Sequence, residues 1–133
     1  MTELNYLLSN NLARVPGVSQ AVAVSVDGLL LAWTGGLDRD AAERLAAVAA
    51  GLSSLLRGAA QDFGAGGVQG NITDLAGGYL ILTTVSTGAS LLTLVHRDAD
   101  LAFVTEELCR FADQVGDQLT PAFATGLAGA GRR

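Results

Sequence analysis

The chain has one histidine and one cysteine, and neither residue has the neighbours that catalysis requires. His96 lies at the end of a predicted strand, where no second histidine is available to complete a metal site or to share a proton. Cys109 flanks the apolar stripe of a predicted helix. Because no histidine or basic pair is near it in the sequence, we expect it to pack as a small hydrophobic residue and not to ionise. We predict no catalytic residue and no metal site.

The sequence does not support phosphate binding either. The stretch GAGG at residues 64–67 follows a predicted helix and precedes a strand, whereas a phosphate-binding loop follows a strand and ends in Gly-Lys-Ser/Thr. The chain has no lysine. The carboxylates of Asp38, Asp40 and Glu43 gather at the start of a predicted helix, where the helix dipole already favours them. We therefore expect no nucleotide and no other cofactor.

The composition limits the class of protein. With 133 residues, half of them hydrophobic, the chain is long enough for one domain with its own core. It contains no apolar run of about 18 residues, so we expect no membrane span. The formal net charge of −5 argues against nucleic acid, whose phosphates need a basic surface. A single cysteine and an N-terminus without a signal-peptide pattern favour a cytoplasmic location.

The longest predicted element is a helix from Asp38 to Phe63 that has almost no polar face. One apolar stripe recurs at steps of three and four residues, and a second stripe beside it carries small side chains. We expect burial on two sides, one against the chain's own sheet and the other against a second molecule, because small side chains would let another helix approach closely. The first stripe consists of Leu45, Val48, Leu52, Leu55, Ala59 and Phe63, and the second of Ala42, Ala46, Ala49, Ser53, Leu56 and Ala60.

Turn and cap signals define the neighbouring elements. Alternating large and small residues predict a strand over residues 20–26 that is covered on both faces. The pair Asp27-Gly28 then predicts a two-residue hairpin turn in which both residues take positive φ. Asp38 or Asp40 is expected to cap the long helix, and Asp40 with Glu43 has the spacing of a capping box.

The full order is helix, two strands, long helix, three strands, helix. It predicts an α+β fold with a single five-stranded antiparallel sheet and helices on both faces, in the order α-β-β-α-β-β-β-α. The predicted ranges are 3–14, 20–26, 29–34, 38–63, 68–74, 79–85, 90–96 and a last helix that ends at Pro121. Residues 1–121 form one domain, and residues 122–133 form a C-terminal tail that we expect to be flexible.

The residues alone also favour a homodimer. The strand over residues 68–74 is polar and contains a glycine, so we predict it at an edge of the sheet, where an exposed strand invites pairing. The second apolar stripe of the long helix also needs a partner to bury it. A symmetric pair of identical patches meets both needs at once.

Several segments, taken in order, resemble Roadblock/LC7 domains. The matching segments are residues 15–18, 21–32, 46–56, 78–82 and 88–94, and the resemblance extends from about Leu4 to Pro121. It implies a profilin-like, non-enzymatic domain that forms a homodimer. An edge strand would pair across the two-fold axis while the long helices lie side by side. Together with the helix stripe, this implies a dimer interface at Ala42, Ala46, Ala49, Ser53, Leu56, Ala60, Gln69, Asn71 and Thr73.

The resemblance also implies a partner. Bacterial members of the family act on small Ras-like GTPases as activators, scaffolds or partners that respond to the nucleotide state. Similar actinobacterial proteins occur with a sensor-kinase-like protein. The GTPase is expected to dock on the paired long helices, where Glu43, Arg44, Arg57 and Gln61 are the polar candidates. That these four side chains only keep the helix hydrated is an equal alternative.

A small-molecule sensory domain is the alternative function. Sheets of this type also hold ligands between sheet and helix, in a cavity that needs a few polar groups pointing inward. The strands offer mostly valine, leucine and alanine. Their sparse polar side chains are Ser25, Thr83, Thr84 and Thr93.

Overall fold

A computed structural model describes residues 3–85 and 88–115. The elements follow one another in the predicted order. The predicted helix end at Pro121 and the tail over residues 122–133 lie outside the described residues. The elements are α1 (Glu3–Asn11) with a following 3-10 helix (Leu12–Arg14), β1 (Val18–Val24), β2 (Leu30–Trp33), α2 (Arg39–Asp62), β3 (Gly70–Leu75), β4 (Gly78–Thr84), β5 (Ser90–His96) and α3 (Leu101–Val115).

The five strands form one antiparallel sheet in the order β2-β1-β5-β4-β3. The polar strand β3 lies at an edge, as its sequence predicts. Helices α1 and α3 cover one face, whereas α2 covers the other face over β1, β5 and β2. The arrangement confirms the predicted fold class.

Side chains of complementary size fill the two layers. Ala21 and Ala23 of β1 face α1 and α3, which contribute large leucines to that layer. Val22 and Val24 face α2, which contributes alanines. Interiors are close-packed, so large side chains on one surface require small ones opposite. The alternation along β1 therefore determines which kind of helix face lies against each side of the sheet.

The β1–β2 connection differs from the prediction. The Ser25 amide donates to the Leu29 carbonyl at 2.8 Å and the Gly28 amide to the Ser25 carbonyl at 3.0 Å, so Val26, Asp27 and Gly28 form a three-residue loop. Only Gly28 has a positive φ, of 88°. The predicted two-residue turn with positive φ at both positions is wrong, because the longer loop confines the left-handed conformation to the glycine.

The start of α2 is set by Asp38, whose Oδ1 accepts a hydrogen bond from the Ala41 amide at 2.7 Å. Asp38 is therefore the N-cap, and Asp40 lies inside the first turn, where the helix dipole favours a carboxylate. Glu43 forms an ion pair with Arg39 at 3.4 Å. The predicted capping box of Asp40 and Glu43 is wrong.

Candidate interaction surface

Helix α2 is too long for the sheet beneath it. Its 24 residues make a helix of about 36 Å, whereas a strand of seven residues such as β1 spans about 24 Å. Ala49, near the middle of the helix, is its last buried residue. In the C-terminal half, Leu52 and Leu56 are only partly buried against the sheet, and none of its residues is fully buried.

The inner face of α2 is the stripe of small side chains. Ala42, Ala46 and Ala49 are 0%, 2% and 0% exposed, and they pack in one cluster with Val22 and Leu92. The prediction that these three alanines contact a second molecule is wrong, because the large side chains of the chain's own sheet occupy that face. Ser53, Leu56 and Ala60 are half-buried, and their contact with a partner stays a prediction.

The outer face of α2 carries large apolar side chains that are exposed. Val48 is 45% exposed, Leu55 is 76% exposed, and Phe63, at the C-terminal end of the helix, is 85% exposed. Contiguous exposed apolar surface of this kind marks interaction sites in monomeric folds. The sequence contains this stripe, but two adjacent apolar stripes do not reveal which one faces the sheet.

The two edges of the sheet differ in their capacity to pair with another strand. At β2, the Trp33 amide donates to Asn5 Oδ1 at 2.9 Å, so a side chain of α1 occupies that edge. Among the described residues, no strand pairs with the outer side of β3. Ile72 in this strand is 49% exposed. The open edge of the sheet is therefore β3.

The predicted interface residues of β3 lie at this open edge. Gln69 precedes the strand, is exposed, and accepts a hydrogen bond from the Thr84 amide at 3.1 Å. Asn71 and Thr73 are joined by a bond from Thr73 Oγ1 to Asn71 Oδ1 at 2.8 Å. Asn71 pairs with Leu82, whose side chain packs in the α2 layer. Asn71 and Thr73 therefore share the sheet face that α2 covers.

The four polar candidates for GTPase contact are all exposed on α2 but do not form one cluster. Glu43 is engaged by Arg39. Arg44 and Arg57 form no ion pair with any residue of the described ranges. These two arginines are 13 residues apart, a rise of about 20 Å along the helix. Gln61 follows Arg57 by one turn, so the structure places Arg57 with Gln61 and leaves Arg44 separate.

An open cleft of about 660 Å³ lies beneath the C-terminal half of α2. Ser53, Arg57 and Gln61 line it from the helix, and Val68 and Val85 line it from the other side. The Oγ atom of Ser53 is shielded from solvent and has no hydrogen-bond partner among the described residues. The cleft combines an apolar floor with polar groups from one helix face.

Arg97 contacts the C-terminal end of β3, the open edge strand. Its guanidinium forms an ion pair with Asp74, donates to the Leu75 carbonyl at 3.0 Å and lies 4.7 Å from the centre of the Tyr79 ring. The hydrogen bond to the Asp74 carboxylate raises the pKa of Arg97, because that contact favours the charged form. These contacts tie the end of β5 to the β3–β4 hairpin and thereby position the edge.

The described ranges contain no arrangement that suggests catalysis. No group of three histidine, cysteine, aspartate or glutamate side chains there could hold a metal ion, and His96 is exposed at the end of β5. Cys109 is also exposed, so the prediction that it packs as a small hydrophobic residue is wrong: it follows the buried Leu108 and lies off the buried stripe of α3. No helix in this part of the chain has the length and apolarity to cross a bilayer.

Comparison with known proteins gives the family. The sequence model of the Roadblock/LC7 domain matches residues 4–95. The crystal structure of a Roadblock/LC7 domain from Streptomyces avermitilis is 36% identical in sequence, with a TM-score of 0.81. The match covers 89% of this chain and 98% of that one. No curated protein matches the chain.

More distant structures show the same fold. Myxococcus xanthus MglB is 18% identical, with a TM-score of 0.78 over 88% of this chain and 94% of that one. Acanthamoeba castellanii profilin II is also 18% identical, with a TM-score of 0.60 over 84% and 95% of the two chains. The fold is therefore profilin-like, as the sequence resemblance implies.

Proposed function

The chain belongs to the Roadblock/LC7 domain family, and we propose that it is a non-enzymatic, homodimeric regulator or scaffold that binds a small Ras-like GTPase in the bacterial cytoplasm. The observation that carries this proposal is the exposed apolar outer face of α2 together with an open edge strand. A lone subunit leaves this apolar surface in water. This exposed apolar surface supports a function in binding other proteins more directly than any single side chain supports a chemical function.

The homodimer rests on two features that a two-fold axis satisfies together. Pairing of β3 with its copy would give the free backbone groups of the edge strand their partners. The same rotation would bring two copies of α2 together and cover Val48, Leu55 and Phe63. The interface that we propose is therefore the outer stripe of α2 with Asn71 and Thr73, and it replaces the buried alanines of the sequence-based prediction.

The GTPase is the partner that the family resemblance implies. We propose that it docks on the polar side of the paired α2 helices, where Glu43, Arg44, Arg57 and Gln61 are exposed. Arg44 and Arg57 carry charges that are not neutralised by described residues, so both are available to carboxylates of a partner. A sensor-kinase-like protein is a further partner on the same grounds.

The test uses the purified chain and a small Ras-like GTPase from the same organism. The GTPase is loaded with GDP or with a non-hydrolysable GTP analogue, and binding is measured by calorimetry together with the rate of GTP hydrolysis. We expect saturable binding whose affinity differs between the two nucleotide states by about tenfold. No binding in either state and an unchanged hydrolysis rate would contradict the proposal.

A charge-reversal pair locates the docking surface. Arg44→Glu on α2 should weaken GTPase binding by about tenfold or more, because it replaces attraction with repulsion. Arg14→Glu is the matched control, since Arg14 is exposed in the 3-10 helix that follows α1 and, like Arg44, forms no ion pair with the described residues. Equal effects of the two substitutions would place the GTPase elsewhere.

The sensory-domain alternative depends on a ligand-sized cavity. The cleft under α2 has the volume of a small-molecule site, which is about 300–1,000 Å³. Of the polar strand residues predicted for such a site, Thr84 lines the cleft. Thr83 and Thr93 are buried in the sheet, and Ser25 Oγ accepts a hydrogen bond from the Leu29 amide. The cleft supports ligand binding in addition to the docking of a protein.

A further inference from the structure

The cleft lies beneath the C-terminal half of α2. After the helix, the chain returns to β3 through a glycine-rich connection at residues 64–67. The space between the helix and the sheet is about 660 Å³ and opens to solvent. It is bounded by the C-terminal half of α2 on one side and by Val26, Val68 and Val85 on the other.

The charge of the cleft has one sign. Among its described lining residues, Arg57 is the one ionisable side chain, and there is no carboxylate. Arg39, Arg97 and Arg110 each form an ion pair, whereas Arg57 forms none with the described residues. In a chain whose net charge is −5, an unpaired guanidinium that faces an apolar cavity favours an anionic ligand.

Ser53 supplies a second polar group to the same wall. It precedes Arg57 by four residues, so the two side chains lie one above the other on one helix face. Ser53 Oγ is shielded from solvent and has no hydrogen-bond partner in the described residues. A buried hydroxyl without a partner is unfavourable, and an oxygen atom bound beside Arg57 would give it one.

The proposed dimer does not need this cleft. Leu55 and Arg57 are two residues apart, a rotation of about 200° around α2, so their side chains point to nearly opposite sides of the helix. A second subunit on the Leu55 side covers the apolar stripe and leaves the Arg57 side open. The cleft and the dimer surface are thus two different faces of one helix.

We infer that the cleft binds a small organic monoanion, a carboxylate with an apolar body. Its carboxylate accepts hydrogen bonds from the Arg57 guanidinium and the Ser53 hydroxyl, and its apolar body packs on Val26, Val68 and Val85. The inference rests on the cleft alone and does not require that the chain bind a GTPase. A bound anion would neutralise Arg57 and thereby change the charge that α2 presents.

The test is a titration of the purified chain with octanoate at neutral pH, followed by heteronuclear NMR. We expect saturable shifts of the amides of Ser53, Arg57, Ala60 and Val68, with a dissociation constant on the order of 1 mM or tighter for a ligand of this size. Octylammonium has the same apolar body and the opposite charge, and acetate has the charge without the body. Both should bind at least about tenfold more weakly.

Matched variants assign the site to its residues. Arg57→Gln should weaken octanoate binding about tenfold or more, because a charge-assisted hydrogen bond is lost. Arg44→Gln removes an equally exposed charge from the same helix outside the cleft and should leave the affinity unchanged. Ser53→Ala should weaken binding by a few fold, and Ser54→Ala, on the exposed neighbour, should not.

Three results would overturn the inference. They are the absence of saturable shifts at these amides, equal binding of octylammonium, and an Arg57→Gln variant that binds octanoate as the wild type does. Circular dichroism of each variant confirms that it is folded, which we expect because the side chain of Arg57 is exposed. GTPase binding is measured separately, so either proposal can fail without the other.

Discussion

Ala49 and Leu55 lie six residues apart on α2, yet Ala49 is completely buried and Leu55 is 76% exposed. Six residues turn an α-helix by about 240°, so the two side chains lie on different faces of α2. On the inner face, small side chains fit against the large residues of β1 and β5. On the outer face, the large side chains of Val48 and Leu55 are exposed. The helix therefore stabilises its own domain with one face and presents an apolar surface with the other.

Enlarging the inner face of α2 should destabilise the fold. Ala49→Leu adds volume where no space is free, and overpacking costs about 1–3 kcal/mol of the free energy of unfolding. Ala47→Leu is the control, because Ala47 is exposed on the same helix; its effect should stay within about 0.5 kcal/mol. Urea denaturation at a fixed protomer concentration measures both. An Ala49→Leu variant with unchanged stability would contradict the position of the inner face.

A charge on the outer face of α2 should separate the subunits. Leu55→Asp removes an apolar contact from each copy and buries a carboxylate in its place, so we expect dimerisation to weaken by about 100-fold or more. Phe103→Asp is the matched control, because Phe103 is also exposed, at 44%, but lies on α3. Analytical ultracentrifugation over a concentration series compares the variants. Equal dissociation constants would show that the outer stripe is not the interface.

One core hydroxyl should be dispensable. Thr93 is 0% exposed, and its Oγ1 has no hydrogen-bond partner among the described residues. Thr93→Val keeps the shape of the side chain and removes the unsatisfied group, so we expect a gain of about 1 kcal/mol in the free energy of unfolding. Chemical denaturation gives the value.

Thr34 provides the contrast for this prediction. It is also buried, at 2% exposed, but its hydroxyl donates to Gln20 Oε1 at 2.6 Å and accepts from the Ala21 amide at 3.2 Å. Thr34→Val should therefore lose about 1–3 kcal/mol, because it leaves a buried amide without its partner. Stabilisation by both substitutions, or by neither, would contradict the hydrogen-bond assignments.

The cap of α2 should depend on one of its two nearby aspartates. Asp38→Ala removes the acceptor for the Ala41 amide and should cost about 1 kcal/mol. Asp40→Ala loses only an interaction with the helix dipole and should cost about 0.3 kcal/mol. Thermal unfolding of the two variants separates the roles. A larger loss of stability for Asp40→Ala than for Asp38→Ala would contradict Asp38 as the N-cap and favour the capping box that the sequence predicts.

Local patterns in the sequence predict the fold well. The alternation along β1 predicts both the strand and its burial on two faces, because successive side chains point to opposite faces and each face is suited to what packs against it. The polarity of β3 predicts an edge strand. The element order follows from turn residues between short periodic segments, and each of these signals is carried by residues that are close in the sequence.

The sequence does not predict which face of α2 lies inward, because both stripes are apolar. The answer depends on Val22 and Val24 of a distant strand, whose size requires the alanines Ala42, Ala46 and Ala49 opposite. The sequence does not predict the exposure of Cys109 for a related reason. Adjacent residues of α3 differ by about 100° around the helix axis, which is enough to separate a buried position from an exposed one. The cleft beside Arg57 is lined by α2, β4 and the loop after β1, which are distant in the sequence, so local patterns do not predict it.

The central claim is that the apolar surface of α2 is covered by a second copy of the chain. Light scattering coupled to size-exclusion chromatography at micromolar concentration tests it most directly. We predict a mass of twice the chain mass of 13.5 kDa, because the outer stripe and the open edge strand are satisfied together by one two-fold axis. A mass of one chain under these conditions would contradict the claim.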